Sequence, residues 1–347
     1  DVADWAGTDP GRVIFASGGT EANNLAIIGR YSRVKQQDPD RGRIILGATE
    51  HPSVREPVRW LERHARADVD VIGVDASGRV DPDELREMLA GGADVALVAI
   101  MAANNETGVL SPIRSIGEVC AEVGVALHVD AVQAAAWYSV AELRVPAGES
   151  IPVSYAVTGH KLGAPVGIGA LVGITAADLK SIIHGGGQEG GVRPGTSPTA
   201  LAAALAAAVV RPRPEAAALR DRVAVQRNRL VEGVLDAVPE AVCHTPPHPG
   251  AGLPGHAMFT FPGASVEVLL FQLDQAGVAA SAGSACSAGV VRPSPVLTAM
   301  GVSAESARAA VRFSLGWDTG SDDIDRALDV VPSAVTVARN GTRNGLS

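Results

Sequence analysis

The sequence predicts an α/β protein with a large domain, built on a mostly parallel seven-stranded sheet flanked by helices, and a smaller α+β domain. Short apolar runs alternate with amphipathic helical patterns from Val13 to about Ala208, as in a sheet whose strands are joined by helices. The runs are rich in β-branched residues and apolar on both faces, which is typical of buried parallel strands. Pro212 and Pro214 then interrupt the pattern, and a length of 347 residues exceeds that of a usual single core.

The predicted strands of the large domain follow the apolar runs in chain order. They are Val13–Ala16, Ile44–Gly47, Val69–Val74, Val95–Ile100, Ala126–Val129, Val153–Val157 and Gly169–Gly173. One intervening helix has clear boundary signals, because Ser111 and Pro112 supply an N-cap and a first-turn proline, and Gly124 ends the helix. The apolar stripe of this helix contains Cys120 and Val123, which are therefore expected in the core.

The predicted domain boundary lies at the two prolines, so residues 1–210 form the large domain and residues 211–347 the small one. Beyond the boundary, a charged helix from Glu215 to Val238 precedes a proline-rich loop and then short strands and helices. That order of elements is typical of a small α+β domain.

Composition and charge exclude several classes of function. A formal net charge of −9 argues against a nucleic-acid surface, and the basic cluster of the charged helix is interleaved with other residues, as on a solvated helix face. The members of that cluster are Arg220, Arg222, Arg227 and Arg229. The longest apolar run, Ala200 to Val210, is too short to cross a membrane and suits a buried helix. Three cysteines and a start without signal features predict a reducing, cytoplasmic location with no membrane attachment.

Lys161 is one of only three lysines, against 26 arginines, and it occupies an unusual position. It lies in the segment from Thr158 to Pro165, between two predicted strands. An amine at the mouth of a buried sheet is expected to be desolvated, which lowers its pKa because burial disfavours the ammonium form. A neutral amine forms Schiff bases with carbonyl compounds, and this is the chemistry predicted for Lys161.

Two motifs at predicted strand ends could bind a ligand. In the segment Ser17–Asn24, small residues and the Thr20 hydroxyl at a helix start form either an anion cradle or a tight capped turn. Asp130 ends another predicted strand, where α/β sheets bind ligands, and Gln133 can share the same site. A buried carboxylate needs a partner such as a protonated ring nitrogen, although Asp130 could instead cap the next helix.

Three further motifs are ambiguous when each is taken alone. The segment Asn104–Gly108 could bind a polar ligand through its amides or form a plain turn. His51 could lie flat on an aromatic ring and move protons, or it could be a solvated loop histidine. The glycine-rich segment His184–Thr196 carries one fixed positive charge, Arg193, and forms either an anion-binding loop or a flexible surface loop.

Two side chains of the predicted small domain could take part in chemistry. Cys286 lies among Gly, Ser and Ala residues, so it is either a mobile nucleophile or an incidental surface thiol. Arg312 ends a predicted strand and could clamp a carboxylate or form a surface ion pair. The spacing of Cys243 and His244 matches no tetrahedral metal site well, so no metal is expected.

Eight motifs occur along the chain in the order SGGTEANN, TEH, NNETG, HVDAVQ, TGHK, HGGGQEGGVRPGT, GSAC and RFSLG. In this combination the chain resembles the cysteine desulfurases, pyridoxal-phosphate enzymes of the class V aminotransferase family. The resemblance runs from about Val13 to about Pro332, and the GSAC segment resembles the branch with a long, mobile cysteine loop. It implies an aspartate-aminotransferase-like fold, a homodimer, and conversion of L-cysteine to L-alanine. It also implies transfer of the sulfur through an enzyme persulfide to acceptor proteins, such as an iron–sulfur scaffold or a tRNA-thiolation enzyme.

The resemblance further implies roles for the residues of these motifs. Lys161 would carry pyridoxal 5′-phosphate and move the substrate Cα proton, Asp130 would pair with the ring nitrogen, and His51 would stack on the ring and assist proton transfer. Cys286 would attack the substrate sulfur and become a persulfide, and Arg312 would hold the substrate carboxylate. The remaining implied contacts are Gly19, Thr20, Thr158, His160 and a neighbouring subunit's Thr196 for the phosphate, and Gln133 and Asn105 for the ring hydroxyl, with Asn105 also touching the substrate.

Two departures from the family pattern leave alternatives open. Thr158 stands where the family often has Ser, which keeps the hydroxyl. The chain begins close to the first predicted strand, so the usual N-terminal segment of the family is expected to be missing. The alternatives are a lyase for selenocysteine or cysteine sulfinate, another pyridoxal-phosphate β-lyase, or, if that segment is truly absent, a non-catalytic sulfur-transfer scaffold.

Overall fold

The computed structural model describes residues 1–91, 93–146, 150–210, 215–283 and 292–343, with side chains as far as residue 340. The chain divides into two compact units. Unit 1 comprises Asp1–Gly73, Val80–Ala103 and Ser111–Ala216, and unit 2 comprises Val74–Arg79, Asn104–Leu110 and Ala217–Ser347. The predicted boundary prolines lie outside the described residues, so the domain limits of 1–210 and 211–347 stay a prediction.

Unit 1 contains a seven-stranded sheet within the described residues. Its strands are β1 (Val13–Ala16), β2 (Arg43–Gly47), β3 (Asp68–Ile72), β4 (Val95–Met101), β5 (Leu127–Asp130), β6 (Val153–Thr158) and β7 (Gly169–Val172). The strand order is β1-β7-β6-β5-β4-β2-β3, and every pair is parallel except those that β7 makes with β1 and β6. The predicted α/β class with a mostly parallel sheet is therefore confirmed.

Burial along the strands follows their place in the sheet. Every residue of β4, β5, β6 and β7 is buried, because aliphatic and β-branched side chains cover both faces. The edge strand β3 differs, since Val71 is 57% exposed and Ile72 is its one buried residue. The expectation of strands buried on both faces is therefore wrong for β3, which has a neighbouring strand on one side only.

The strand directions bring several loops to one edge of this sheet. Because β1, β2, β5 and β6 run the same way, their carboxyl ends meet at a common edge, called the carboxyl edge below. The segments that begin there are Ser17–Thr20 after β1, Thr49–His51 after β2, the loop after Asp130, and the turn that carries Lys161 after β6. Ligand sites of parallel α/β sheets form at such an edge.

Helices join the strands of unit 1. They are α1 (Val2–Ala6), α2 (Gly19–Asn24), α3 (Arg30–Gln37), α4 (Pro52–Ala65), α5 (Pro82–Leu89), α6 (Ile113–Glu122), α7 (Val140–Leu143) and α8 (Thr199–Val210). Short 3-10 turns span Pro10–Arg12, Ala134–Ala136, Gly159–Lys161, Ala176–Asp178 and Gln188–Gly191. A π-helical segment, Leu25–Gly29, joins α2 and α3 into one continuous helix, whose buried side includes Ala22, Asn23 and Ala26.

Two helices differ from their predicted form. In α6, Cys120 is fully buried as predicted, but Val123 is 46% exposed because the helix ends before it and Gly124 turns the chain with a φ of 71°. The predicted N-cap at Ser111 is not formed, since the helix begins at Ile113 without a side-chain cap. The alanine-rich α8 is partly rather than wholly buried. Within the described part of the chain, none of the helices has the length and apolar character that a bilayer crossing demands.

Unit 2 contains a four-stranded antiparallel sheet in its described part. Its strands are β8 (Val242–Cys243), β9 (His256–Thr260), β10 (Ser281–Ala282) and β11 (Ala310–Ser314), in the order β10-β11-β9-β8. Its helices are α9 (Ala216–Ala237), α10 (Val266–Gln275), α11 (Pro295–Ala299), α12 (Ala304–Arg308) and α13 (Ser321–Arg343). Phe259 stacks on Phe261 and meets Phe313 edge-on, with ring centroids 5.8 and 6.1 Å away. The predicted smaller α+β fold is therefore present.

Arg227 on α9 is buried, which contradicts the expectation that the basic cluster of this helix forms a solvated face. Its Nη2 donates a hydrogen bond to the Pro246 carbonyl at 3.1 Å. Burial lowers the pKa of this guanidinium, and the nearby Cys243 offsets part of the effect. The sequence pattern did not predict this burial because arginine lies on the core side of a helix only where a specific acceptor is available.

Candidate active site

Asp130 lies at the carboxyl edge as the last residue of β5, and its side chain is buried. Its Oδ1 accepts a hydrogen bond from the Val132 amide at 3.0 Å, and its Oδ2 accepts one from Asn23 Nδ2 at 2.8 Å. Burial raises the pKa of the Asp130 carboxyl, and the two N–H donors offset part of that effect. A carboxylate held in this way is oriented for a cationic partner at the sheet edge.

Asn23 connects Asp130 to a buried histidine behind it. His128 Nε2 lies 2.9 Å from Asn23 Oδ1, and His128 Nδ1 lies 2.9 Å from Ser154 Oγ. Burial lowers the pKa of His128 to about 3, so this imidazole is neutral at ordinary pH. No motif of the sequence indicates a role for Asn23, although its helical spacing from Gly19 and Ile27 places it on the buried side of the helix.

His51 follows β2 and forms the N-cap of α4. Its Nδ1 lies 2.7 Å from Ser53 Oγ and accepts a hydrogen bond from the Ser53 amide at 3.1 Å. Loss of solvation lowers the pKa of His51; Asp130 acts in the opposite direction, and Arg55 and Lys161 lower it further. The ring is therefore neutral at ordinary pH, and it lies close enough to Asp130 and Lys161 for their charges to affect it.

Thr158 ends β6, and the 3-10 turn that follows carries His160 and Lys161. The Thr158 side chain is buried, with its Oγ1 3.0 Å from His160 Nδ1. Partial burial and the charge of Lys161 lower the pKa of His160. Lys161 itself is exposed, so the expectation of a desolvated amine is wrong for this chain, because the turn carries the side chain beyond the strand end.

The start of α2 is packed closely against neighbouring loops. A Cβ placed on Gly19 would approach Val132 Cγ2 to 2.5 Å, and a Cβ on Gly18 would lie 3.5 Å from Thr158 Oγ1. The absence of a side chain at Gly19 therefore allows the helix start to approach the loop after β5. Thr20 follows on the exposed side. The amides of a helix start, beside a buried hydroxyl, suit an anionic group such as a phosphate.

The glycine-rich segment His184–Thr196 is attached to the same part of unit 1. Arg193 Nε and Nη2 lie 2.8 and 3.3 Å from the two carboxylate oxygens of Glu21, which also accepts a hydrogen bond from the Ser17 amide. Glu189 Oε2 accepts a hydrogen bond from the Phe15 amide at 3.0 Å. The positive charge of Arg193 is thus paired with Glu21, and Thr196 lies exposed beyond it.

Glu50 is a second buried acid, for which the sequence pattern indicates no role. The side chain is 3% exposed, and its Oε1 accepts a hydrogen bond from the Met101 amide at 2.6 Å. Its Oε2 has no hydrogen-bond partner among the described residues. Burial, and after it the charge of Asp130, raise the pKa of Glu50 well above its ordinary value, which favours the protonated form of this acid.

Two predicted substrate contacts meet in unit 2. Arg312 Nη1 donates a hydrogen bond to the Asn105 carbonyl at 2.6 Å, and both residues are half-buried. Burial lowers the pKa of Arg312, and the charge of Glu106 offsets part of this change. The Arg312 Nε is buried without a hydrogen-bond partner in the described part of the chain. A guanidinium with a donor still available can bind a carboxylate.

Two other predicted site residues are Gln133 and Cys286. Gln133 is half-buried, just before the 3-10 turn Ala134–Ala136. Cys286 lies outside the described residues. Within the residues that are described, no group of three or more His, Cys, Asp or Glu side chains could hold a metal ion.

The sequence and the fold of this chain are both similar to those of known proteins over most of its length. The family model for aminotransferase class-V matches residues 1–327. A relative from Mycobacterium tuberculosis, described as an IscS-like cysteine desulfurase, is 42% identical over 338 residues, which cover 97% of this chain and 84% of the relative. The solved structure of a NifS-like protein is similar with a TM-score of 0.84 at 27% identity, covering 97% of this chain and 86% of the other. The solved structure of SspA in complex with cysteine is similar with a TM-score of 0.72 at 29% identity. The match covers 90% of this chain and 84% of the other.

Proposed function

This chain belongs to the class V aminotransferase family and is a cysteine desulfurase, and from that premise we propose that it converts L-cysteine to L-alanine while passing the sulfur to its own Cys286. The description of the relative from Mycobacterium tuberculosis supports this reaction. The complex of SspA with cysteine supports the same substrate, since the chain is similar to SspA over 90% of its length.

The residues of the carboxyl edge fit pyridoxal 5′-phosphate, the cofactor that the family implies. Asp130, buried and held by two N–H donors, is suited to pair with a protonated pyridine nitrogen. The close approach at Gly19, with Thr158 beneath it, suits the phosphate. When bound, the cofactor supplies an electron sink that stabilises negative charge on the substrate carbon atoms.

The remaining cofactor contacts are assigned by the family resemblance together with their positions. Lys161 would hold the cofactor covalently through its exposed amine. The other contacts are Gly19, Thr20, Thr158, His160 and the partner subunit's Thr196 for the phosphate, and Gln133 and Asn105 for the ring hydroxyl. Because Thr196 would act on the neighbouring subunit's cofactor, the proposal includes a homodimer.

The side chains around the substrate have distinct roles. Lys161 would take the Cα proton of cysteine, and His51 would stack on the cofactor ring and assist later proton transfer. Arg312 holds the substrate carboxylate, which the buried and unpartnered Nε of its guanidinium supports. Asn105, whose carbonyl accepts a hydrogen bond from Arg312, contacts the substrate beside it.

Cys286 receives the sulfur. Its thiolate attacks the substrate sulfur, the bond between that sulfur and Cβ breaks, and the electron pair stays with the substrate carbon, which is then protonated. Cysteine and the Cys286 thiol thereby become alanine and a Cys286 persulfide, so no external oxidant or reductant is needed. The Gly, Ser and Ala neighbours of Cys286 suit a long loop that delivers the persulfide elsewhere, either for iron–sulfur cluster assembly or for RNA thiolation.

The observation that carries this proposal is the placement of Asp130. It ends β5 as a buried carboxylate, and the adjacent parallel strand β6 leads directly into the turn that bears Lys161. A fixed anion and an amine at neighbouring strand ends are the two groups that a pyridoxal cofactor requires.

Borohydride reduction in the presence of pyridoxal phosphate tests the cofactor assignment. We expect the mass of the intact chain to increase and peptide mapping to place the label on Lys161. Lys161→Ala should abolish the label, whereas Lys180→Ala, the matched control, should retain it. A label on Lys35 or Lys180, or no label at all, would contradict the assignment.

A cysteine substitution tests the sulfur transfer. We expect Cys286→Ala to lose sulfide release from L-cysteine in the presence of a thiol reductant while it keeps the bound cofactor, because the acceptor thiol is gone. Cys243→Ala is the matched control and should keep both properties. Undiminished sulfide release by Cys286→Ala would favour a β-lyase without sulfur relay.

A further inference from the structure

We propose that Asn23 and Ser53 are positioning residues that hold the His51 imidazole in one neutral tautomer, with its proton on Nε2 and with Nδ1 as an acceptor. A series of hydrogen bonds connects Ser154 to His51, and the donor and acceptor of each bond lead to this inference.

The orientation of the Asn23 amide is set by Asp130. Both oxygens of Asp130 accept N–H donors, so the Asn23 atom that lies 2.8 Å from Oδ2 must be the nitrogen. Asn23 Oδ1 then points to His128 Nε2 at 2.9 Å, and that ring nitrogen must carry a proton. The neutral His128 therefore accepts at Nδ1, where the Ser154 hydroxyl lies 2.9 Å away.

The second hydrogen of the same amide determines the state of Ser53. Asn23 Nδ2 lies 2.8 Å from Ser53 Oγ, so the hydroxyl oxygen accepts this hydrogen bond. The hydroxyl proton of Ser53 is then left to donate to His51 Nδ1 at 2.7 Å. Asn23 thus acts on Asp130 and on Ser53 at the same time, through the two hydrogens of one buried amide.

Two donors converge on one nitrogen of His51. Besides the hydroxyl, the Ser53 backbone N–H donates to Nδ1 at 3.1 Å. A proton on Nδ1 would face that N–H directly, so Nδ1 remains an acceptor and the single proton of the neutral ring lies on Nε2. The charged groups that act on the ring are Asp130, which favours the imidazolium, and Arg55 and Lys161, which oppose it.

The functional consequence rests on the proposed function. If His51 stacks on the cofactor, its Nε2 begins each turnover as a hydrogen-bond donor and cannot accept a proton there. The first proton abstraction, at Cα, therefore falls to the amine of Lys161. His51 can take up a proton at Nδ1 only when the Ser53 contacts rearrange, so Ser53 controls how readily this imidazole becomes a cation.

Nitrogen-15 NMR of histidine-labelled protein without added cofactor tests the inference. In the wild type, we expect His51, assigned by its loss in His51→Gln, to show an unprotonated Nδ1 and a protonated Nε2. His64 provides an internal control with a protonated Nδ1, because this nitrogen lies 2.9 Å from the Trp60 carbonyl and must donate a hydrogen bond to it. A protonated Nδ1 on His51, or averaged shifts for its two nitrogens, would overturn the inference.

Substitutions at Ser53 separate positioning from a general effect on folding. Ser53→Ala removes one of the two donors to Nδ1 and keeps the backbone N–H, so we expect a weaker preference for the tautomer protonated at Nε2 and a higher pKa of His51 in an NMR titration. Ser53→Thr restores a hydroxyl and should restore the wild-type spectrum. An unchanged His51 spectrum in Ser53→Ala would refute the role of Ser53. Because the measurement needs no cofactor, its failure leaves the Lys161 labelling unaffected, and failure of that labelling leaves the tautomer measurable.

Discussion

Glu50 is a single residue whose buried carboxyl group links stability to pH. Burial, and after it the charge of Asp130, raise the pKa of Glu50 in the folded protein, whereas its ordinary value is 4.5. Above that pH the unfolded chain releases a proton that the folded chain keeps. The free energy of unfolding therefore falls as pH rises from about 4.5 towards the folded pKa.

Replacement of Glu50 by glutamine removes this dependence. We expect Glu50→Gln to be more stable than the wild type at pH 7, with a difference that shrinks as pH falls and is absent well below pH 4.5. Urea unfolding at a series of pH values measures the difference. Glu62→Gln, at an exposed site on α4, is the control and should stay within about 0.5 kcal/mol of the wild type. A pH-independent difference for Glu50→Gln would show that Glu50 is ionised in the folded state.

The predictability of single site residues depends on whether their partners are near in sequence. Asp130 and Thr158 end strands and His51 follows one, and parallel strands bring such positions to one edge, so the pattern of the sequence suffices. Asn23 was missed because its partner Asp130 is 107 residues away, and no local pattern indicates a hydrogen bond over that distance. The segment that carries Lys161 was predicted between two strands, but the exposure of the side chain depends on the geometry of the turn.

At the scale of elements, an ion pair attaches the glycine-rich segment to the start of α2. Burial opposes ionisation of Glu21, but the hydrogen bonds from Arg193 and Ser17 outweigh it and hold the carboxyl pKa below its ordinary value. Both side chains of the pair are less than one-fifth exposed. The attraction is therefore screened less than that of a surface pair, and it restrains the loop that leads to Thr196.

Loss of this ion pair is expected to loosen the glycine-rich segment. We expect Glu21→Gln to lower the free energy of unfolding by about 1–3 kcal/mol and to speed hydrogen exchange of the amides between Gln188 and Gly195. The matched control is Glu56→Gln, which breaks the exposed pair with Arg59 on α4 and should cost about 0.5 kcal/mol or less. Since the folded pKa of Glu21 is lowered, its contribution is lost as pH falls through that pKa. Unchanged exchange in Glu21→Gln would show that Arg193 does not restrain the segment.

The bounds of the strands were predicted more accurately than the burial of single side chains. The seven strands of unit 1 were found within two residues at each end, because apolar β-branched runs specify buried strands directly. The errors at Val71, Val123 and Arg227 concern burial and not the type of element, and the error at Ser111 concerns the cap of a helix. Burial depends on which neighbours cover a side chain, and the periodicity of one segment does not contain that information.

At the scale of the whole molecule, the chain enters unit 2 more than once. The segments Val74–Arg79 and Asn104–Leu110 belong to unit 2, although both lie within the sequence of unit 1. In the second of these, the Asn105 carbonyl accepts the hydrogen bond from Arg312. Hydrophobic periodicity placed that motif after a strand of the large sheet, but it does not indicate which core a short polar loop joins.

The proposed homodimer leads to a prediction that is tested with dimers of two different variants. Thr196 is exposed, in the segment attached to α2 by Arg193, and it is proposed to bind the cofactor phosphate of the other subunit. Lys161, in contrast, must act on the cofactor of its own subunit. A dimer in which one subunit carries Lys161→Ala and the other Thr196→Ala therefore has one damaged site and one intact site.

Coexpression of the two variants with different affinity tags measures this complementation. Lys161→Ala alone should be inactive, and Thr196→Ala alone should retain less cofactor after gel filtration, because its phosphate loses a hydroxyl contact. Random pairing makes about half of the dimers mixed, and each mixed dimer has one complete site, so alanine formation should reach about a quarter of the wild-type rate. If Thr196 serves its own subunit, the mixed dimers would contain no complete site. Activity no greater than that of the separate variants would then exclude the shared site.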